Sequence, residues 1–330
     1  MTSFVDGMTG VFGLTVAALK ILCPWIQQER MRYVMQSVME DWSNVCDKRS
    51  RKIMNQYAFW GRLTFSAQII AVLVTVIGFS AARPPNFTTE AFRNNSSSTR
   101  NLLLGPSCWI PDTMSTSLYL LHYFLVCVAA YIATVTFPGF DALIFSAALH
   151  LCGQFEVLNQ KLEDMSDGES HWEQKRRIEE YSKRHNKLLT LGNEVNNIVS
   201  LIMFSEFFCN GLLISLSGIS ILTSVKNGKV DSDDISFGIR ICIWYGELFM
   251  YSYVGEKLAS QADKSHSTIY NCPWYSMSVN IAKEIKIIMM RNNSFCYLTA
   301  GGIFVINFEA FKEITRIMFS CFSVLKVQLE

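Results

Sequence analysis

Long apolar windows alternate with charged segments along the chain. A helix needs about 20 mostly apolar residues to cross the hydrocarbon core of a bilayer. The first window contains Asp6 and Lys20, and the last is interrupted by several charges. The pattern predicts an all-α, polytopic membrane protein with six transmembrane helices. We place the spans at 4–22, 62–82, 118–138, 198–223, 237–255 and 294–325.

Several windows continue as charged, amphipathic helices. Residues 118–162 keep one apolar helical stripe almost throughout, and residues 175–197 lead directly into the fourth window. Residues 256–293, between the fifth and sixth windows, have the same character. We expect long cytoplasmic helix extensions that pack as an inner anchor bundle, with 256–293 as its anchor region. The alternative is a set of amphipathic connectors lying on the lipid surface.

The basic residues of the loops predict the orientation, because Lys and Arg are enriched on the cytoplasmic side. Nineteen of them lie in the segments that follow the first, third and fifth spans, against five in the alternate loops. The loop at 83–117 is therefore predicted to lie outside. It contains the N-glycosylation sequons of Asn86, Asn94 and Asn95. With six spans, both termini also lie outside.

The composition agrees with a membrane protein. Charged residues make up 17% of the chain, against about 25% in soluble domains. A soluble all-α protein with long buried helices is the alternative, but the outer face of such a helix meets water and rarely stays uncharged for about 20 residues. The net charge of +1 offers no basic field for nucleic acid. We therefore expect membrane lipid, and no nucleic acid, around this chain.

No enzyme motif occurs in the sequence. There is no H-E-x-x-H, P-loop, G-x-S-x-G or G-x-G-x-x-G, the His residues are scattered, and the Cys residues form no C-x-x-C. These observations predict a protein that is not an enzyme, has no catalytic residue, needs no cofactor and binds no metal.

The last span contains charged residues, and charge within a membrane is costly and often functional. The residues are Glu309, Lys312, Glu313 and Arg316. Opposite charges recur at i, i+3. They are consistent with pairing along the helix in the interior of a bundle, or with a helix that lines a wet cavity. The sequence alone does not require a pore.

Aromatic residues occupy the outer halves of the other spans. A set of this kind can line a pocket for a small apolar ligand, or can face lipid and the membrane interface instead. The aromatic residues concerned are Phe4, Phe12, Phe79, Tyr119, Tyr123, Trp244 and Tyr245.

Five stretches carry a resemblance to a known family. They are FPGFDALIFSAALHLCGQFEVLNQKL at 137–162, LLLGPSCWIPD at 102–112, YSKRHNKLLTL at 181–191, NCPWY at 271–275 and the segment 299–327 that begins TAGG. In this order and spacing, the chain resembles the insect odorant receptors, which are ligand-gated cation channels that work with a shared co-receptor. The likeness covers nearly the whole chain, although the family's first transmembrane span has no counterpart in it.

The resemblance implies a function and its residues. A hetero-tetramer with the odorant receptor co-receptor would surround one pore, lined by the last span at Val324 and Gln328; the family is apolar at both places, so Gln328 is a departure. A volatile odorant would bind among the aromatic residues above, with Met8 and Thr75 added. The implied location is the plasma membrane of olfactory neuron dendrites.

Three other functions are alternatives. A gustatory-type receptor channel would share the architecture, but the chain ends CFSVLKVQLE and not in that family's closing motif. A secondary transporter would be expected to show inverted repeats, and none is evident. A G-protein-coupled receptor would carry D-R-Y and N-P-x-x-Y, which do not occur.

Overall fold

The computed structural model describes residues 2–45, 47–82, 115–165, 170–228, 232–291 and 296–329. In these residues the chain forms eight α-helices, a 3-10 turn at Trp274–Ser276 and one two-stranded hairpin. The helices are α1 (Thr2–Ile26), α2 (Gln28–Asn44), α3 (Lys48–Ala82), α4 (Thr116–Glu163), α5 (His171–Lys226), α6 (Ser232–Asn271), α7 (Val279–Arg291) and α8 (Phe308–Leu329).

The two longest helices, α4 and α5, begin at serine caps. The Ser115 hydroxyl accepts a hydrogen bond from the Leu118 N–H at 3.4 Å, and the Ser170 hydroxyl accepts one from the Glu173 N–H at 3.3 Å. With 56 residues, α5 is about 84 Å long at 1.5 Å per residue. The hydrocarbon core is only about 30 Å thick, so α5 extends far beyond it. The predicted helix extensions are thus confirmed.

Four helical segments of the described chain are long and apolar enough to cross a membrane: Gly7–Ile26, Lys48–Val74, Thr116–Glu163 and His171–Lys226. The predicted span 237–255 lies wholly inside α6. All-α, polytopic architecture is therefore confirmed, while the count of six spans stays a prediction.

The predicted span 294–325 differs from the observed structure at its start. Thr299–Ala300 pairs antiparallel with Phe304–Val305, and α8 begins only at Phe308. The turn between the strands needs Gly301 and Gly302, whose φ angles are 63° and 69°. The hairpin docks on α5, where the Ser200 carbonyl accepts a hydrogen bond from the Gly301 N–H at 2.8 Å.

The hydrophobic core of the described residues continues into the region where the helix extensions meet. We call this region the anchor bundle and define it as residues 28–61, 145–165, 171–200 and 256–291. Its fully buried side chains include Phe155, Ile178, Leu188 and Ile285. Burial of such side chains stabilises a fold by about 1.5–3 kcal/mol each, so hydrophobic packing holds the anchor bundle together.

Candidate functional site

A cavity of about 1570 Å³ lies among α1, α3, α4, α5 and α6. Small residues of α4 form one wall, at Ala129, Ala130 and Ala133. Leu63 of α3 and Ile243 of α6 line other walls. Because the lining is mostly apolar, the cavity suits a ligand held by shape and dispersion, with few polar partners.

The floor of the cavity is polar. Asp141 of α4, Asn210 of α5 and Glu247 of α6 all line it, which brings side chains from three helices together. Glu247 accepts a hydrogen bond from the Asn210 amide at 3.2 Å. The cavity therefore has an apolar body and one end that can contact a polar group.

Behind this floor lies a buried charge cluster, which we call the Lys20 cluster: Lys20, Asp141, Glu206 and Glu247. The Lys20 ammonium is 2.7 Å from the Asp141 carboxylate and 3.6 Å from that of Glu247, and it also contacts Glu206. One oxygen from each carboxylate lies within 4.8 Å of the other two. The ammonium occupies the space between them, which leaves no position for a metal ion at their centre.

The Lys20 cluster joins α1, α4, α5 and α6. The hydroxyl of Tyr251 donates to Asp141, and the Lys20 ammonium lies 4.5 Å from the centre of the Phe137 ring. The sequence pattern pointed to Lys20 in the first window but did not join it to the acidic residues of the other helices. A signal for this contact was present in the sequence: a basic residue in the first window and isolated acidic residues in the fourth and fifth. Charged residues in separate membrane spans usually pair with one another, so these residues could have been expected to meet.

The structure places the predicted ligand residues on different sides of the bundle. Phe12 and Trp244 line the cavity. Tyr245 packs instead against α8, where its ring is 5.0 Å from that of Phe311. As far as the described side chains go, Met8, Tyr119 and Tyr123 are not part of the lining. Phe4, Thr75 and Phe79 lie in α1 and α3, but their side chains are outside the described structure.

The four charged residues of the last span lie in the first half of α8 and are exposed. Arg316 and Glu313 form the predicted i, i+3 pair at 3.1 Å. Val324 and Gln328 lie near the end of α8, and nothing is described of their side chains. Asn86, Asn94 and Asn95 lie outside the described residues.

Helix α6 connects the cavity with α8. Phe249 lines the cavity and also contacts two rings of α8, those of Phe308 at 5.9 Å and Phe311 at 5.7 Å. Trp244 lines the cavity, while the hydroxyl of Tyr245, the next residue, lies 3.3 Å from that of Thr315. A change in the cavity can therefore reach α8 through direct side-chain contact.

The anchor bundle contains a second buried polar group, the Asp41 cluster, formed by Asp41, His150, Gln154 and Arg184. The Asp41 carboxylate is 2.7 Å from Arg184 and 3.0 Å from the His150 ring nitrogen. Arg184 also donates to Gln154 at 2.7 Å. Burial alone would raise the pKa of Asp41, but the hydrogen bonds with His150 and Arg184 outweigh burial, so the pKa lies below its usual value.

A family model described as 7tm Odorant receptor matches residues 1–319. The chain belongs to the insect odorant receptor family. This confirms the predicted family. The family and its fold are those of receptors with transmembrane helices and a role in olfaction.

Relatives of the receptor show how widely the family diverges. Odorant receptor 10 of Aedes albopictus is 21% identical over 201 residues, covering 58% of this chain and 52% of its own length. Odorant receptor 24a of Drosophila melanogaster is 22% identical over 306 residues, covering 87% of this chain and 73% of its own. The chain thus spans about half the length of some curated relatives that it matches.

The fold of the receptor is that of a solved insect structure. Olfactory receptor OR5 from Machilis hrabei, in complex with eugenol, superposes with a TM-score of 0.82. The identity is 13%, and the alignment covers 100% of this chain and 82% of that one. At this identity the likeness concerns the fold alone.

Proposed function

We propose that this receptor binds a small volatile apolar ligand in the cavity among α1, α3, α4, α5 and α6, and that binding opens a cation channel formed with the co-receptor. The observation that carries the proposal is the apolar cavity of about 1570 Å³. Its volume exceeds the range of about 300–1,000 Å³ typical of small-molecule sites, so a volatile ligand fits with room to spare. A relative of the same fold is described in complex with eugenol, itself a small aromatic molecule.

The proposed coupling runs through α6. Phe249 touches both the cavity and the rings of Phe308 and Phe311, so a ligand that moves Phe249 also moves α8. A ligand shifts the gate only if it binds the open state better than the closed one. The free energy of coupling therefore equals the difference between the ligand's binding free energies in the open and closed states. Val324 and Gln328 are the positions on α8 that we propose to face the pore.

The partner and location follow from the same proposal. The receptor would assemble with the co-receptor as a hetero-tetramer in the plasma membrane of an olfactory neuron dendrite, with α8 at the shared axis. The outer loop at 83–117 would carry glycans at Asn86, Asn94 or Asn95. Treatment with an N-glycosidase followed by gel electrophoresis tests the glycans directly.

The test of the ligand site fills the cavity without changing its charge. Ala133 of α4 lines the cavity, and replacement by Trp adds a large ring there. We expect Ala133→Trp, expressed with the co-receptor in oocytes, to lose at least tenfold in potency for every activating volatile. The matched control is Val128→Trp on the same helix, at a side chain that is 38% exposed and outside the lining.

The two variants together decide the location. An equal loss of potency in both variants would mean that a tryptophan in α4 impairs the channel wherever it lies. Unchanged potency in Ala133→Trp, with normal surface expression, would exclude this cavity as the ligand site. Current in the absence of the co-receptor would overturn the proposed assembly.

A further inference from the structure

We propose that the floor of the cavity is a subsite for a protonated amine, with the carboxylate of Glu247 as its counter-ion. The inference rests on the proposed function, since it names the chemical class of ligand that the same cavity accepts. Glu247 is the member of the Lys20 cluster most open to the cavity: its side chain is 15% exposed, against 0–2% for Lys20, Asp141 and Glu206.

The charge balance of the cluster supports a second cation. Among the described residues, three carboxylates share the single ammonium of Lys20. The side chain of Glu206 is only 1% exposed and contacts the same ammonium. Three buried carboxylates that share one counter-charge repel one another at a cost in free energy. A positively charged group beside Glu247 would lower that cost for the whole cluster.

The position of Lys20 favours an amine over a metal ion. The Lys20 ammonium already contacts all three carboxylates, so a metal ion would have to displace it. The cavity side of Glu247 is the free approach, and it opens onto apolar walls. An ammonium group on a hydrocarbon body matches both surroundings, with the charge at the floor and the body against the walls.

Arg240 also lines the cavity, in addition to the floor residues Asp141 and Glu247, and its charge lies away from the floor. It precedes Glu247 by seven residues on α6, which is about 10 Å along a helix. Its guanidinium lies 4.4 Å from the centre of the Phe237 ring and donates to the Ser236 carbonyl at 3.4 Å. An ammonium at the floor therefore meets the acidic groups at much shorter range than Arg240.

The experiment compares two ligands of equal length, hexylamine and 1-hexanol, on the receptor with its co-receptor. We expect the wild-type receptor to respond to hexylamine at a concentration at least tenfold lower than to 1-hexanol. Glu247→Gln should raise the effective concentration of hexylamine about tenfold or more, the size of one charge-assisted hydrogen bond. The same variant should raise the effective concentration of 1-hexanol clearly less than that of hexylamine, because a neutral hydroxyl has no net charge for the carboxylate to attract and can still hydrogen-bond to the amide.

Two further variants separate charge from fold. Glu247→Asp keeps the carboxylate and should keep the preference for hexylamine. Asp263→Asn removes one exposed carboxylate of α6 outside the cavity and should change the effective concentration of neither ligand. Equal responses of the wild-type receptor to both ligands, or equal losses of both in Glu247→Gln, would overturn the amine subsite.

A binding measurement distinguishes failure of this subsite from failure of the channel function. Cys242 is exposed and lines the cavity, so a bound ligand should slow its alkylation by a maleimide in isolated membranes, as measured by mass spectrometry. Protection by hexylamine at lower concentration than by 1-hexanol supports the subsite even if no current is seen. Currents evoked by other volatiles, with no hexylamine protection of Cys242, would sink the amine subsite and leave the proposed function standing.

Discussion

The Lys20 cluster and the Asp41 cluster differ in their balance of charge. Both are buried and both join helices that are far apart in sequence. In the Asp41 cluster one carboxylate faces Arg184 and His150. In the Lys20 cluster three carboxylates face one ammonium. The first is paired within itself, whereas the second has acidic groups in excess and borders the cavity.

This difference shows what each cluster can do. A buried group whose charges are paired ties helices together and needs no further partner. A buried group with an excess of one sign makes the local fold depend on its single counter-charge, and it favours an added cation. The anchor bundle should therefore tolerate the loss of one partner better than the region around the cavity. Three predictions test this comparison.

The largest effect is expected for Lys20→Met. Removing the ammonium leaves three buried carboxylates together, and breaking a buried pair costs about 3–5 kcal/mol. We expect a large loss of thermal stability of the purified receptor, measured by fluorescence-detected size exclusion after heating. Lys187→Met is the matched control, because Lys187 lies 3.1 Å from Glu40 in an exposed pair. Equal stability of the two variants would show that the ammonium does not hold the cavity helices together.

A smaller effect is expected from acidification of the anchor bundle, through His185. The ring stacks on Tyr181 with centres 5.8 Å apart, and burial lowers its pKa to about 4. The unfolded chain, with a pKa of about 6.5, takes up the proton first. The stabilisation is therefore complete above about pH 6.5 and is lost as the pH falls towards 4.

The measurement is the unfolding temperature at about pH 7 and about pH 5. We expect it to fall in the wild-type receptor and to fall less in His185→Phe, which keeps the stacking and does not titrate. His266→Gln changes an exposed histidine of α6 and should behave as wild type. Asp41 affects the unfolding temperature only at lower pH. Its pKa in the folded protein is lowered, so its contribution to stability is complete above about pH 3.9 and is lost as the pH falls below that value. An identical slope in His185→Phe would assign the acid sensitivity to another group.

The smallest effect is expected at the surface of the anchor bundle. Arg49 lies 2.9 Å from Asp164, but the two side chains are 60% and 55% exposed. Exposed pairs of this kind contribute about 0–1 kcal/mol. Arg49→Ala should shift the unfolding temperature within the error of the measurement. A loss comparable with that of Lys20→Met would remove the distinction between exposed and buried charge on which the comparison depends.

Apolar length and periodicity in the sequence were enough to predict the spans and the extensions of α4, α5 and α6, because each depends on local hydrogen bonds and on one apolar face. The sequence pattern did not predict α2 (Gln28–Asn44), which lies between the first two spans. It did not predict the hairpin at Thr299–Val305, whose strands are two residues each and whose pairing depends on docking against Ser200. Nor did it predict that Trp244 lines the cavity while Tyr245 packs against α8. Neighbouring residues on a helix point in directions about 100° apart, and only the packing shows which direction leads to the cavity.

By itself, the sequence determined an all-α membrane protein with helix extensions and membership of the odorant receptor family, because apolar length, charge asymmetry and motif order are properties of the chain alone. Only the tertiary structure decided that Lys20, Asp141, Glu206 and Glu247 meet, and that they meet at the floor of one cavity. These residues are separated by up to 227 positions, from 20 to 247. No local pattern encodes such a meeting; it follows from how four helices pack.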